Sequence, residues 1–299
     1  MGILDGRVVI VSGGGRGLGR AHCLELARHG ATVVVNDLGV TMAGEAEENL
    51  EPPAESVVRE IEELGGSAVA DGTSVTDWDG MAGLVARTVE LFGSLDAVVN
   101  NAGFLRDRML TSMSEADFDA VIQVHLKGTF ALTRHACGYW REQSKAGRKV
   151  SGRVVTTTSG AGLFGNVGQT NYGSAKSAIA TFTLIAALEM QKYGVTANAL
   201  SPIAATRMLA SVGRTSAADV DWDPLDPANA SPVVAWLCSE ESGWLSGTVL
   251  RVDGNTLQRV QGWTVCEGFQ SASGQAFTVD ELGLGIRKLF GAAPRGLGG

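Results

Sequence analysis

One passage constrains this chain more than any other: the run VVIVS at residues 8–12, the glycines of GGGRGLG, a stretch with helical spacing, and a second run TVVVN. A short β-branched run without polar alternation reads as a strand buried on both faces, the kind found in parallel sheets. Strand, helix closed by Gly30, and strand within about 30 residues make a βαβ unit, with a crossover that is right-handed almost without exception.

The glycines fall between the first strand and the first helix. There Gly13, Gly17 and Gly19 permit a tight turn and let a pyrophosphate approach the backbone, while N–H groups at the helix N-terminus hold it. Leu18 and Arg16 belong to the same loop. A glycine-rich turn alone is weak evidence, because many tight turns use glycine, but its place inside an amino-terminal βαβ unit points to a dinucleotide. Asp37 ends the second strand, where a carboxylate accepts hydrogen bonds from an adenosine ribose and repels a 2′-phosphate. This favours NAD over NADP. Arg16, a cation in the loop that can reach a 2′-phosphate, argues the other way.

The alternation continues along the chain. Helical segments are expected at PAESVVREIEELGG, DWDGMAGLVARTVELFGS, over 114–145 with Ser114 as N-cap, and from near Tyr172 to about Tyr193; strands at SAVADG, LDAVVNNAG, GRVVTTTSG and VTANALSP. Six strands alternating with helices predict a doubly wound, Rossmann-like parallel sheet with helices on both faces. One domain is expected over 1–257, with a polar surface insertion at 41–53 and a C-terminal extension at 258–299 in which ELGLGIRKLF forms a short helix.

The net charge of −8 argues against a nucleic-acid binder, whose affinity rests on Lys and Arg neutralising phosphates. No run approaches the ~18 apolar residues of a membrane helix, and no signal peptide precedes the first strand. Cys23, Cys137, Cys238 and Cys266 match no CxxC or zinc spacing and read as reduced thiols. A cytoplasmic protein without a metal site is expected.

Two further motifs carry chemistry. NNAG, residues 100–103, closes the fourth strand at its carboxyl end, where ligands bind in open α/β sheets; Asn100 is placed to brace the neighbouring strand. In QTNYGSAK, Tyr172 and Lys176 are four apart, one turn along the same helical face, so phenol and ammonium can approach one point. That spacing by itself also suits the start of a core helix.

Together, the Gly13-Gly17-Gly19 loop, NNAG, Ser159, and Tyr172-x-x-x-Lys176, in that order and spacing, resemble the short-chain dehydrogenase/reductase family over roughly residues 5–257. The resemblance implies that Ser159 positions substrate, Tyr172 is the acid/base, and Lys176 holds the nicotinamide ribose and lowers the tyrosine pKa. A phenol of pKa ~10 must fall about three units to act near neutral pH, roughly 4 kcal/mol of preferential phenolate stabilisation. The resemblance also sets Asn101, Ala102, Gly103, Pro202, Ile203 and Thr206 beside the cofactor with Tyr172 and Lys176, although Ile203 replaces the usual glycine. His125 stands where the family usually has the asparagine of a proton relay; whether it passes protons in the same way is open.

FLRDRMLTSMSEADFDAVIQVHLKGTF and FGNVGQTNYGSAK are similar to one branch of the family, the (3R)-hydroxyacyl-CoA dehydrogenase units of type 2 multifunctional enzymes. That branch implies NAD-dependent oxidation of a (3R)-3-hydroxyacyl-CoA to the 3-oxoacyl-CoA in fatty-acid or sterol side-chain β-oxidation. A dehydrogenase of a free alcohol, ketone or steroid is the alternative, and a non-catalytic NAD-sensing protein a third reading. Arg106 and Arg108 are either partners for the anionic acyl-CoA or solvated loop charges. By family resemblance the helices at 114–145 and 172–193 are the faces of a homodimer or homotetramer.

Overall fold

The computed structural model describes residues 2–39, 52–204 and 222–290. The insertion at 41–53, apart from Pro52 and Pro53, lies outside the described residues. So does Thr206.

β1 (Val8–Ser12), β2 (Thr32–Asn36), β3 (Ser67–Asp71), β4 (Ala97–Asn100), β5 (Gly152–Thr157) and β6 (Val195–Ile203) lie parallel. They belong to an eight-stranded sheet of order β3-β2-β1-β4-β5-β6-β7-β8. Side chains of successive strand residues point to opposite faces, and both faces are buried. Val9, Val11, Val33, Val35 and Val99 pack on one side with α1 (Gly17–Arg28) and α2 (Pro53–Glu63). Ile10, Val34, Val98 and Val154 pack on the other with α3 (Trp78–Phe92) and, further along the chain, Leu132 and Trp140. This is why the strands lack polar alternation.

Three features depart from expectation. The helix over 114–145 is α4 (Glu115–Ile122) and α5 (Gly128–Lys145) joined by one π turn at Gln123–Lys127, which contains His125. Beyond β6 and α6 (Gly160–Phe164) with α7 (Thr170–Met190), a further helix, α8 (Ser231–Cys238), precedes two strands that the six-strand reading omits. These are β7 (Thr248–Asp253), parallel to β6, and β8 (Thr256–Val260), antiparallel to β7. Gly254, at φ 55°, opens the two-residue turn Gly254-Asn255 between the paired Asp253 and Thr256.

The chain forms two compact units, Met1–Val260 and Gln261–Gly299. In the second, Thr278 and Glu281 form a capping box at the start of α9 (Val279–Phe290). The Glu281 carboxylate accepts the Thr278 N–H at 2.9 Å, and the Thr278 hydroxyl accepts the Glu281 N–H at 3.4 Å. Its Val279, Leu284, Ile286, Leu289 and Phe290 side chains are exposed. Among the described residues no helix is long and apolar enough to cross a membrane. All four cysteines are free.

Candidate active site

The sheet order reverses between β1 and β4, opening a crevice at the carboxyl ends of the strands. On one side of it, the loop after β1 is shaped by the absence of side chains. Gly13 and Gly17 have φ of 64° and 51°, and a Cβ on Gly19 would lie 1.9 Å from the Gly13 carbonyl oxygen. Arg16 occupies the N-cap of α1 without a side-chain cap bond, and the first turn carries no acidic residue. An uncapped helix N-terminus above a glycine cradle fits a diphosphate, since its first N–H groups have no partner within the helix. Leu18 packs against the core beneath.

Asp37 sits directly beside this loop. Its carboxylate accepts the N–H of Gly15 at 2.9 Å and of Gly39 at 2.9 Å, and a Cβ on Gly15 would crowd that same oxygen. Behind it the buried Asn36 amide donates to Asp71 Oδ1 and to the Thr73 carbonyl, both at 2.8 Å. Together these residues fit the adenosine end of a dinucleotide.

NNAG is assigned differently from expectation at its first position. Asn100 donates to Thr133 Oγ1 of α5 at 3.0 Å, so it braces a helix; Asn101 is the residue that ties the strands, donating from Nδ2 to the Gly13 carbonyl at 3.0 Å. The Asn101 and Ala102 N–H groups also approach Ser12 Oγ, at 3.2 and 3.3 Å. Gly103 has a second duty that no sequence pattern announced. A Cβ there would fall 2.1 Å from the His125 ring, so the glycine makes room for the imidazole.

Ser159, Tyr172 and Lys176 converge at the end of β5. Ser159 caps α6, accepting the Ala161 N–H at 3.3 Å, and shares a hydrogen bond with Tyr172. Lys176 is buried; its Nζ donates to the Thr157 carbonyl at 2.6 Å and lies 5.7 Å from the centre of the Tyr172 ring. Burial pulls the Lys176 ammonium down to about 7. Tyr172 is displaced upward: burial is the main cause, the Ser159 hydrogen bond opposes it, and the Asp107 carboxylate adds to it. The protein alone therefore holds Tyr172 as the phenol, contrary to the lowering expected from Lys176.

His125 is buried with its ring edge-on to Tyr172 at 5.2 Å between centres. Its Nε2 lies 2.8 Å from the Phe104 carbonyl oxygen and 3.1 Å from the Phe104 N–H, donating to one or accepting from the other according to tautomer. Nδ1 is buried without a partner. Burial, reinforced by Lys176, pushes the imidazole down to about 3, so it is neutral throughout the physiological range. Pro202 and Ile203 end β6 at the same carboxyl end of the sheet, paired with Val252 and Asp253. Arg106 meets Asp117 at 3.6 Å and overlies the Phe104 ring, while the exposed Arg108 donates to the Asp107 carbonyl.

A dinucleotide cradle facing a Ser-Tyr-Lys cluster with a buried tyrosine and lysine, on a doubly wound sheet, is the arrangement of a nicotinamide-dependent oxidoreductase. The chain matches the short chain dehydrogenase family over residues 7–217 and belongs to it; it is an oxidoreductase, and dehydrogenases of this family use nicotinamide cofactors. It is 42% identical over 296 residues to the hydroxyacyl-CoA dehydrogenase ChsB1 of Mycobacterium tuberculosis, covering 96% of this chain and 89% of that one. It is also 42% identical over 236 residues to the peroxisomal multifunctional enzyme type 2 of Drosophila melanogaster, covering 79% of this chain and 37% of the larger protein. The crystal structure of a short chain dehydrogenase from Mycobacterium avium matches with a TM-score of 0.87 at 50% identity, covering 99% of this chain and 98% of that one.

Proposed function

We propose that this enzyme oxidises (3R)-3-hydroxyacyl-CoA thioesters to 3-oxoacyl-CoA with NAD as acceptor. The observation that carries the reading is the convergence of the buried Tyr172 and Lys176 with the half-buried Ser159 opposite a glycine loop closed by Asp37. Supporting the substrate class is the name of a relative similar over nearly the whole chain, a hydroxyacyl-CoA dehydrogenase. Supporting NAD is the Asp37 carboxylate, packed where a 2′-phosphate would meet its charge.

A bound oxidised nicotinamide supplies the hydride acceptor and a positive charge beside the tyrosine. Gly13, Arg16, Gly17, Leu18, Gly19, Asp37 and the Asn101–Gly103 backbone would hold the dinucleotide, with Pro202 and Ile203 serving its nicotinamide end. Ser159 orients the C3 oxygen and Tyr172 takes its proton. Protonated Lys176 favours the phenolate. In the reverse direction Tyr172, held as the phenol, returns the proton. His125 holds the backbone at Phe104 rather than carrying a charge itself.

We propose further that the enzyme is a cytoplasmic homodimer or homotetramer. Phe130 of α5 and Leu184, Ile185 and Leu188 of α7 are exposed apolar side chains on the two helices that would meet; a monomer in sedimentation at micromolar concentration refutes this. The function is tested by NADH formation with (3R)- and (3S)-3-hydroxyacyl-CoA, NAD or NADP, beside Tyr172→Phe. Turnover of the (3R) thioester with NAD, lost in the variant, supports the reading. Silence on every thioester, with NADH still bound, moves the substrate to a free alcohol, ketone or steroid.

A further inference from the structure

We infer that Asn171 is a positioning residue that locks the first turn of α7 to the segment 104–108 and to α4, so that Tyr172 and the wall beside it move as one body. The inference rests on the role given to Tyr172 above.

Asn171 is fully buried at the second position of α7, where a polar amide contributes nothing to helix propensity. Each of its hydrogen bonds reaches something that matters to Tyr172. Oδ1 accepts the Tyr172 N–H at 2.7 Å, satisfying a first-turn donor that the Gln169 N-cap leaves without a side-chain bond. Nδ2 donates to the Arg106 carbonyl at 2.9 Å and to the Asp117 carbonyl of α4 at 3.1 Å. One side chain thus joins α7 to two neighbouring stretches, 65 and 54 residues back along the chain.

Neighbouring bonds run the same way. Gln169 Nε2 donates to Asp107 Oδ2 at 2.9 Å, and the Arg108 N–H to the Gly168 carbonyl at 2.9 Å. At the far end of the segment Phe104 is held by His125, whose ring in turn meets Tyr172. The path from Tyr172 through Asn171, Arg106, Phe104 and His125 closes on Tyr172 again. Phe104 packs in one small apolar cluster with Tyr172 and shields it, while Asp107 contributes its negative field. Freeing this segment admits water to the phenol, and an error of about 1 Å at a reacting group can cost 10²-fold in rate.

The two halves of the amide can be separated. Asn171→Asp keeps an acceptor for the Tyr172 N–H but turns an oxygen toward the Arg106 and Asp117 carbonyls; Asn171→Ala removes both. Each variant is compared with its own Tyr172→Phe counterpart by tyrosinate absorbance, which subtracts Tyr139 and Tyr193 and needs no substrate. NADH binding, kcat and KM are measured alongside. The expected result is that both variants bind NADH as the wild type does and lose about 10- to 100-fold in kcat with little change in KM, and that Asn171→Ala, which adds no charge, ionises Tyr172 at lower pH. Wild-type kcat in Asn171→Asp, or wild-type Tyr172 ionisation in Asn171→Ala, would reduce Asn171 to a helix cap and overturn the proposal, as would losses that merely track NADH affinity. Where neither variant folds, Gln169→Ala frees Asp107, together with Asn166, and leaves Asn171 in place: a smaller shift in the same direction supports the coupling, and none overturns it. A wild type inert toward every thioester refutes the substrate, while the Tyr172 titration still decides the role of Asn171.

Discussion

The two sides of the crevice are built from different materials. Where β1 and β2 end, shape comes from backbone and empty space: Gly13 in the left-handed region, Gly19 against the Gly13 carbonyl, and one carboxylate, Asp37, on the loop amides. Where β5 ends, shape comes from ionisable side chains taken out of water, Tyr172, Lys176 and His125, each shifted by burial. A diphosphate is held by dipoles at close range, so the first side cannot tolerate added volume. Proton transfer depends on matched pKa values, so the second cannot tolerate added water or a lost hydroxyl.

The comparison breaks most visibly at Tyr172. Tyr172→Phe keeps the ring and removes the proton, and kcat is expected to fall about 10²- to 10⁴-fold while NADH fluorescence titration stays unchanged. Loss of NADH binding with activity would show that the two sides are one.

Acid sharpens it next. His22, buried against the Ser231 hydroxyl at 2.9 Å, is pushed down to about 4 by burial, and His125 to about 3. Below the ordinary value of 6.5 the unfolded chain binds protons that the folded chain refuses. Stability should be flat with respect to these groups above that pH and fall as pH drops from 6.5 toward 4, by about 1.4 kcal/mol per unit for each. Calorimetry from pH 7 to 4.5 should show this slope, and His125→Asn should remove about half of it.

On the cofactor side, Gly19→Ala puts a methyl into the Gly13 carbonyl. The expected result is about 1–3 kcal/mol of destabilisation and weaker NADH binding, with Tyr172 ionisation unmoved. The smallest effect is expected for Arg87→Met, which breaks a pair with Asp71 at 2.6 Å. Arg87 is half exposed, so thermal denaturation should report under about 1 kcal/mol.

Much of this was open to a reader of residues in order. The βαβ unit, the glycine loop, Asp37 and the Tyr172–Lys176 spacing are local patterns, and each lands where its pattern predicts. What was missed is non-local or lies past the motifs: the hairpin at Gly254, the Asn100 bond to α5 and the Asn101 bond to the Gly13 carbonyl, the space Gly103 leaves for His125, and Asn171. A cue for Asn171 was present, a polar residue inside the buried face of an apolar helix, immediately before the tyrosine.

The sequence by itself determined which backbone conformations are possible and which residue types are available, because glycine freedom, strand burial and helical spacing act within a few positions along the chain. Only the tertiary structure decided the protonation of Tyr172, Lys176 and His125 and the joining of Asn171 to Arg106 and Asp117. Desolvation and hydrogen bonding depend on what surrounds a group in space, and those neighbours arrive from distant parts of the chain.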